Sequence, residues 1–222
     1  MKVKEEVFDR NHKGELTASP YCLGKHYPEL ELPDDIEVVA EGAFRAIGIT
    51  IDRLIVPASV RRIKAAAFYG CGIKELEIEA GDVSMAIDGQ SFAYNLLEEL
   101  VLPQRVWYVG KGSFSHCSKL KRLIKADGLK TIYTSAFEET AIDSLDFEKF
   151  APLIAEIKEK AFCNCGLVSL RMPTPVGYSP IKIADNAFIG NVVKEVKARP
   201  DTFSESDLEN LEGLEKAIKI IK

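Results

Sequence analysis

Several residues in this sequence are of types that do chemistry. Cys163-Asn-Cys165 has the close thiol pairing that begins many metal sites. A tetrahedral zinc site needs four ligands, and apart from the distant Cys117 no cysteine or histidine falls in the same or adjacent stretch of chain. The residues therefore read as one core thiol beside one turn thiol. His116 directly precedes Cys117, which places a base next to a nucleophile. Cys117, however, belongs to a recurring buried position, where a thiol is inert. His12, His26 and His116 are all assigned to turns. Glu75 and Glu77 share one face of an extended segment, but both stand in water, where two like carboxylates form no acid–base couple. There is no phosphate-cradling glycine loop, no His-Glu-x-x-His and no Gly-x-Ser-x-Gly. The reading is a protein that is not an enzyme and has no cofactor or metal.

The elements that position these residues come from a repeat. An Ala-Phe or Ser-Phe pair appears at Phe44, Phe68, Phe92, Phe114, Phe137, Phe162 and Phe188, at spacings of 24, 24, 22, 23, 25 and 26 residues. Five residues before each Phe stands an aliphatic: Val39, Ile63, Ile87, Val109, Ile132, Ile157 or Ile183. Three after it stands Ile47, Cys71, Asn95, Cys117, Thr140, Cys165 or Asn191. A period of about 20–29 residues with apolar positions at fixed offsets marks a stacked leucine-rich solenoid. Each coil is predicted to hold two strands and a tight turn. The first strand carries pairs such as Val60/Ile63, Val83/Ile87 and Val106/Val109. The second reads Leu54-Ile-Val56, Leu76-Glu-Ile78, Leu100-Val-Leu102, Leu123-Ile-Lys125, Leu145-Asp-Phe147, Leu170-Arg-Met172 and Val196-Lys-Ala198, the period of two of a half-buried strand. Pro57, Pro103 and Pro173 end three of these strands, because proline donates no ladder bond. The Ala-Phe segment is too short for a regular helix and is predicted as a single helical or 3-10 turn. The seven phenyl rings are expected to pile into one internal column. The small polar residues three places on are expected to hydrogen-bond the backbone of the loops.

Residues 1–33 read as an N-terminal cap: a hairpin around Asp9–Gly14, then the half-repeat Leu30-Glu-Leu32-Pro33. The repeats occupy 34–199. Residues 200–222 read as a C-terminal cap, with Ser206-Asp-Leu-Glu209 as a capping box, a short helix through Leu208 and Leu211, and a last strand over 217–221. With both ends so closed, the chain reads as complete. The net charge of -5 lacks the basic stripe that nucleic acid requires. No apolar run is long enough to span a membrane, and acids at Glu5 and Glu6 interrupt any secretory leader. A cytoplasmic location follows, or a cell-surface one if a leader has been removed. Five cysteines, three at one repeat position, do not make a disulfide framework.

The composite pattern Leu-x-x-Leu-x-Leu-Pro-x-x-Val-x-x-Ile-x-x-x-Ala-Phe-x-x-Cys resembles the BspA-like leucine-rich repeats. It is best kept in Val60 to Cys71, Leu76-Glu-Ile78, Leu100 to Pro103 and Ile157 to Pro173. The resemblance covers roughly residues 30–198. It implies a right-handed solenoid of about seven repeats, a role in protein binding or bacterial adhesion, and no shared catalytic residues.

Two surfaces could meet a protein partner. On the second strands, Ile55, Glu77, Val101, Ile124, Asp146, Arg171 and Lys197 face outward, flanked by Arg53, Glu75, Glu99 and Arg122. Three β-branched residues among charges resemble an apolar patch with a polar rim. Equally, β-branched residues simply suit a strand surface. On the first strands, Trp107 and Tyr108 make a second candidate. The competing reading there is that Trp107 covers Arg61 and Arg62 through cation–π contact.

Overall fold

Each Phe-centred repeat becomes one coil of a β-solenoid. The structure is a computed structural model and describes residues 7–172, 180–199, 202, 214 and 218–220. Its spine is the phenyl column. Phe44, Phe68, Phe92, Phe114, Phe137, Phe162 and Phe188 lie ring over ring, with centroids 4.9–5.7 Å apart and planes within 11° of parallel. None is more than 1% exposed. At the N-terminal end Phe8 meets Phe44 edge-on at 6.3 Å and 86°, so an aromatic from outside the repeat covers the last ring.

Successive coils pair through short parallel strands on two sides. The first strands Val38–Val39, Arg62–Ile63, Met85–Ile87 and Val106–Val109 form one sheet with the antiparallel hairpin Phe8–Arg10 and Leu16–Ala18. Thr131–Ile132, Glu156–Ile157 and Lys182–Ile183 form another. The second strands fall into three separate sheets. The first holds His26–Glu31, Thr50–Val56 and Glu75–Ile78; the second holds Glu99–Leu102 and Arg122–Ala126. The third holds Ser144–Asp146, Ser169–Arg171, Glu195–Ala198 and Ile218–Ile220. Ile218–Ile220 is the terminal strand expected from the sequence. The capping box Ser206–Glu209, its helix and Pro173 lie outside the described residues.

The Phe segment is neither helix nor 3-10 but two interlocked turns, with a left-handed residue on each side of the ring. Two places before the Phe these are Gly42, Ala66, Gln90, Gly112, Ser135 and Lys160. Two places after it they are Ala46, Gly70, Tyr94, His116, Glu139, Asn164 and Gly190. A non-glycine residue in this region costs roughly 1–2 kcal/mol. The return is a backbone ladder, because reversing φ at both flanks aims three amides at the next coil. Gln90, Phe92 and Tyr94 donate to Lys111, Ser113 and Ser115 at 2.9, 2.9 and 3.0 Å, and neighbouring coils repeat the pattern. The turn side of the solenoid is thereby hydrogen-bonded without being a strand.

Three sequence expectations change. Val83 is 51% exposed, and Met85 fills the core place beside Ile87. This coil is one residue shorter there than its neighbour, so the pairing with Val106–Val109 slips at Trp107. Lys125 is exposed, and Ala126 is the buried residue that pairs with Leu102. Phe147 does not continue a strand but opens the one-turn helix Phe147–Phe150, capped by the Asp146 carboxylate on the Glu148 amide. The residues of this turn bury Phe147 and Phe150 edge-on against Phe162 and Phe137. Elsewhere Arg105, only 7% exposed, ties two coils together by donating to the Glu79, Val60 and Pro57 carbonyls at 2.6, 2.7 and 3.1 Å. Desolvation in this place pulls its guanidinium pKa down.

Candidate interaction surface

The outward residues of the second strands stand where alternation puts them, but they do not form one unbroken file. Ile55 pairs with Glu77, and Asp146 with Arg171 and then Lys197. Between Arg122–Ala126 and Glu99–Leu102 the register slips, so Val101 pairs with Lys125 and Ile124 is the extra residue of a bulge. Ile124 is therefore not in column with Val101 as expected, although both remain 44% exposed.

The charges around them are tied to one another across coils. Arg53 takes Glu29 at 2.7 Å, pairs with Glu77 and lies 3.8 Å from Glu75. The Glu77 hydrogen bond, more than any other contact, raises the Arg53 pKa. Arg122 pairs with Glu99, and Arg171 meets Glu148 at 2.7 Å. Exposed pairs of this kind add little stability. They do hold the charged heads to the sides, leaving Val101 and Ile124 uncovered.

The most distinctive geometry lies where the sheet breaks. Glu75–Ile78 and Glu99–Leu102 belong to neighbouring coils but are not hydrogen-bonded to each other. Between them opens a cleft of about 530 Å³, lined by Lys74, Glu75, Leu76, Glu98, Glu99 and Val101. Glu75, Glu99 and Val101 were candidates from the sequence; Lys74, Leu76 and Glu98 were not. The nearby sequence signal is Glu79-Ala-Gly-Asp-Val-Ser84, which lacks the proline that ends the second strands of three other coils at Pro57, Pro103 and Pro173. Leu76 is only partly buried here, whereas its counterparts Leu54 and Leu100 are buried.

The first-strand candidate is built differently from its expectation. Trp107 is 56% exposed and sits at the register slip. Its ring packs on Tyr108 at 5.5 Å, and Tyr108 packs on Tyr133 at 4.8 Å. Among the described residues no cation–π contact joins Trp107 to Arg61 or Arg62. Those arginines are held by Glu37 at 2.5 Å and Asp88 at 2.9 Å. The cation–π partner in this region is Lys158, which lies over Tyr133 at 5.6 Å.

The chemistry-bearing residues take structural places. All five cysteines are buried and unpaired in disulfides. Cys71, Cys117 and Cys165 donate to the Phe44, Phe92 and Phe137 carbonyls at 3.5, 3.3 and 3.0 Å. Desolvation pushes these thiols up to about 12, 12 and 11. Burial also raises Cys163. No group of three or more His, Cys, Asp or Glu side chains among the described residues is placed to hold a metal. His116 does not serve Cys117; its ring stacks on Tyr94 at 4.3 Å and Nδ1 meets Glu139 at 2.9 Å. His26 opens a strand rather than a turn and lies between Thr50 and Asp52.

Because these folded thiol pKa values lie above that of a free cysteine, about 8.5, their neutral burial contributes stability in full below that pH. The contribution is lost as pH rises towards 11–12. The native protein is thus expected to resist iodoacetamide at Cys71, Cys117 and Cys165 at neutral pH and to melt progressively lower above pH 9. Mass spectrometry of the alkylated native protein checks the first outcome, and melting curves against pH the second. Rapid native labelling of any of the three would contradict the assignment.

Among the described residues no helix is long and apolar enough to cross a membrane. The sequence matches the model of the BspA type leucine rich repeat region in six copies, over residues 21–137, 85–188 and 150–218. No curated protein matches it. Among solved structures it is similar to a leucine-rich repeat protein of T. pallidum at 23% identity and a TM-score of 0.61, with 76% of this chain and 80% of that one covered. It also aligns with the pneumococcal vaccine antigen PcpA at 14% identity and a TM-score of 0.47, covering 99% of this chain and 100% of that one. A third match is a leucine-rich cell surface protein of Faecalibacterium prausnitzii, at 14% identity and a TM-score of 0.40, covering 93% and 95%. The first of these supports the shared fold.

Proposed function

The chain belongs to the BspA-type leucine-rich repeat family, and from that premise we propose that it is a non-catalytic protein-interaction module whose second-strand face docks a protein partner. The observation that carries this reading is the cleft at the sheet break. It combines an apolar floor, Leu76 and Val101, with charges already fixed by Lys74–Asp52 at 2.8 Å and by Arg122–Glu99. A partner meeting this surface need not order those side chains, which lowers the entropy cost of binding. The exposed Val101 and Ile124 supply apolar area beside a charged rim. Ile55, Glu75, Glu77, Glu99, Arg122, Asp146 and Arg171 complete the proposed contact face, and Trp107 with Tyr108 forms a second, smaller one.

The test is affinity capture from a native lysate with the wild-type chain and with Val101→Glu plus Ile124→Glu. The double variant is expected to lose its partner while its stability stays within about 0.5 kcal/mol, as for other surface changes. Capture that survives both substitutions would remove this face, and the same experiment with Trp107→Ala would then decide the first-strand surface.

A further inference from the structure

A third surface, on the turn side, carries a file of side chains in contact across five successive coils. The Arg45 guanidinium lies over the Tyr69 ring at 4.7 Å. Tyr69 meets Tyr94 at 5.0 Å, Tyr94 stacks on His116 at 4.3 Å, and His116 meets Glu139 at 2.9 Å. None of these residues lies on the strand faces. Tyr94, 47% exposed, is the middle member. The file begins with a cation and ends with an anion, and its interior is aromatic. Tyr94 and His116 hold left-handed backbone conformations, with φ 60° and 58°. Glycine or asparagine suits that region better than a large ring, so the turn alone does not call for these aromatics.

We propose that this file is a self-association surface that pairs with a second copy of the same chain about a two-fold axis through Tyr94. The order of residues makes it self-complementary under that operation. Tyr94 meets Tyr94 of the second copy, Tyr69 meets His116, and Arg45 meets Glu139. In an isologous interface residue i meets j and j meets i, so a two-fold axis perpendicular to the file sets its cation against the anion of the second copy. A parallel arrangement would instead set Arg45 on Arg45. Stacked coils about 4.8 Å apart make the file about 19 Å long. Its footprint is smaller than the ~800 Å² per partner of a stable complex, so the dimer is weak, with a dissociation constant of roughly 10–1,000 µM. The tyrosines supply the apolar contact and the terminal charges set the orientation.

Sedimentation velocity on the full chain from roughly 10 µM to roughly 1 mM, with unfolding curves as a fold control, tests the proposal. The wild type is expected to shift from monomer to dimer across that range. Tyr94→Asp should hold it monomeric, as should Arg45→Glu or Glu139→Arg alone. The combined Arg45→Glu/Glu139→Arg variant should dimerise again, because the swap restores complementarity. Higher salt should weaken the wild-type dimer. A chain monomeric throughout, a dimer indifferent to Tyr94→Asp, or a charge swap that fails to restore pairing in a folded protein would each overturn the proposal. None of these outcomes bears on capture of a different protein by the strand face.

Discussion

Phe92→Ala is expected to remove about 3–5 kcal/mol of stability. The ring is fully buried and lies between Phe68 and Phe114, each 5.5 Å away. Truncation forfeits the transfer free energy and opens a cavity that neighbouring coils cannot close. Their backbones are held in place by the Phe92 amide on Ser113 and the Phe68 amide on Ser91, both at 2.9 Å. A loss of this size is comparable with the net stability of a whole domain. Position matters as well as size. Solenoid coils touch only their neighbours, so a defect in the third coil uncouples two coils on one side from four on the other. Urea unfolding followed by circular dichroism is therefore expected to show a lower midpoint and a broader transition with a reduced slope. Phe92→Leu, which keeps most of the volume, should recover more than half of the loss. A decrease under about 1 kcal/mol would mean that the column does not hold the coils together.

That column was readable in the sequence because one residue type recurs at one offset. The first-strand aliphatics and the position three past the Phe were readable for the same reason. Features that depend on pairing between coils were not. Val83 and Met85 both fit an apolar slot near Ile87, and only the register against Val106–Val109 selects Met85. Ile124 looks like the outward partner of Val101 until the bulge hands that place to Lys125. The left-handed turns were concealed by their occupants. Gly42, Gly70, Gly112 and Gly190 point to them, but Gln90, Tyr94, His116, Ser135, Glu139 and Lys160 do not. The cleft beside Leu76 arises from two strands that fail to pair, and alternation within a strand says nothing about whether its neighbour is bonded. The candidate face was thus legible residue by residue, while its division into three sheets was not.

Asn95 should show a graded response that separates packing from hydrogen bonding. It is 1% exposed and satisfies both sides of a turn that runs through the interior. Its Oδ1 accepts from the Ile73 amide at 2.9 Å, and its Nδ2 donates to the Phe68 and Phe92 carbonyls at 2.9 and 3.0 Å. Asn191 makes the corresponding bonds and one more, accepting from the Leu167 and Cys165 amides and donating to the Phe162 and Phe188 carbonyls. Cys117, in the equivalent place, reaches only the carbonyl, at Phe92. Asn95→Leu keeps the branched side-chain shape but strands a buried donor and a buried acceptor, at about 1–3 kcal/mol each, so a loss of about 2–6 kcal/mol is expected. Asn95→Cys can still donate to Phe68 as its neighbours do and leaves only the Ile73 amide unpaired, at about 1–2 kcal/mol. Chemical denaturation of the three proteins should therefore rank them asparagine, cysteine, leucine. Equal losses for cysteine and leucine would show that the thiols of Cys71, Cys117 and Cys165 fill space in their coils without bonding the turn.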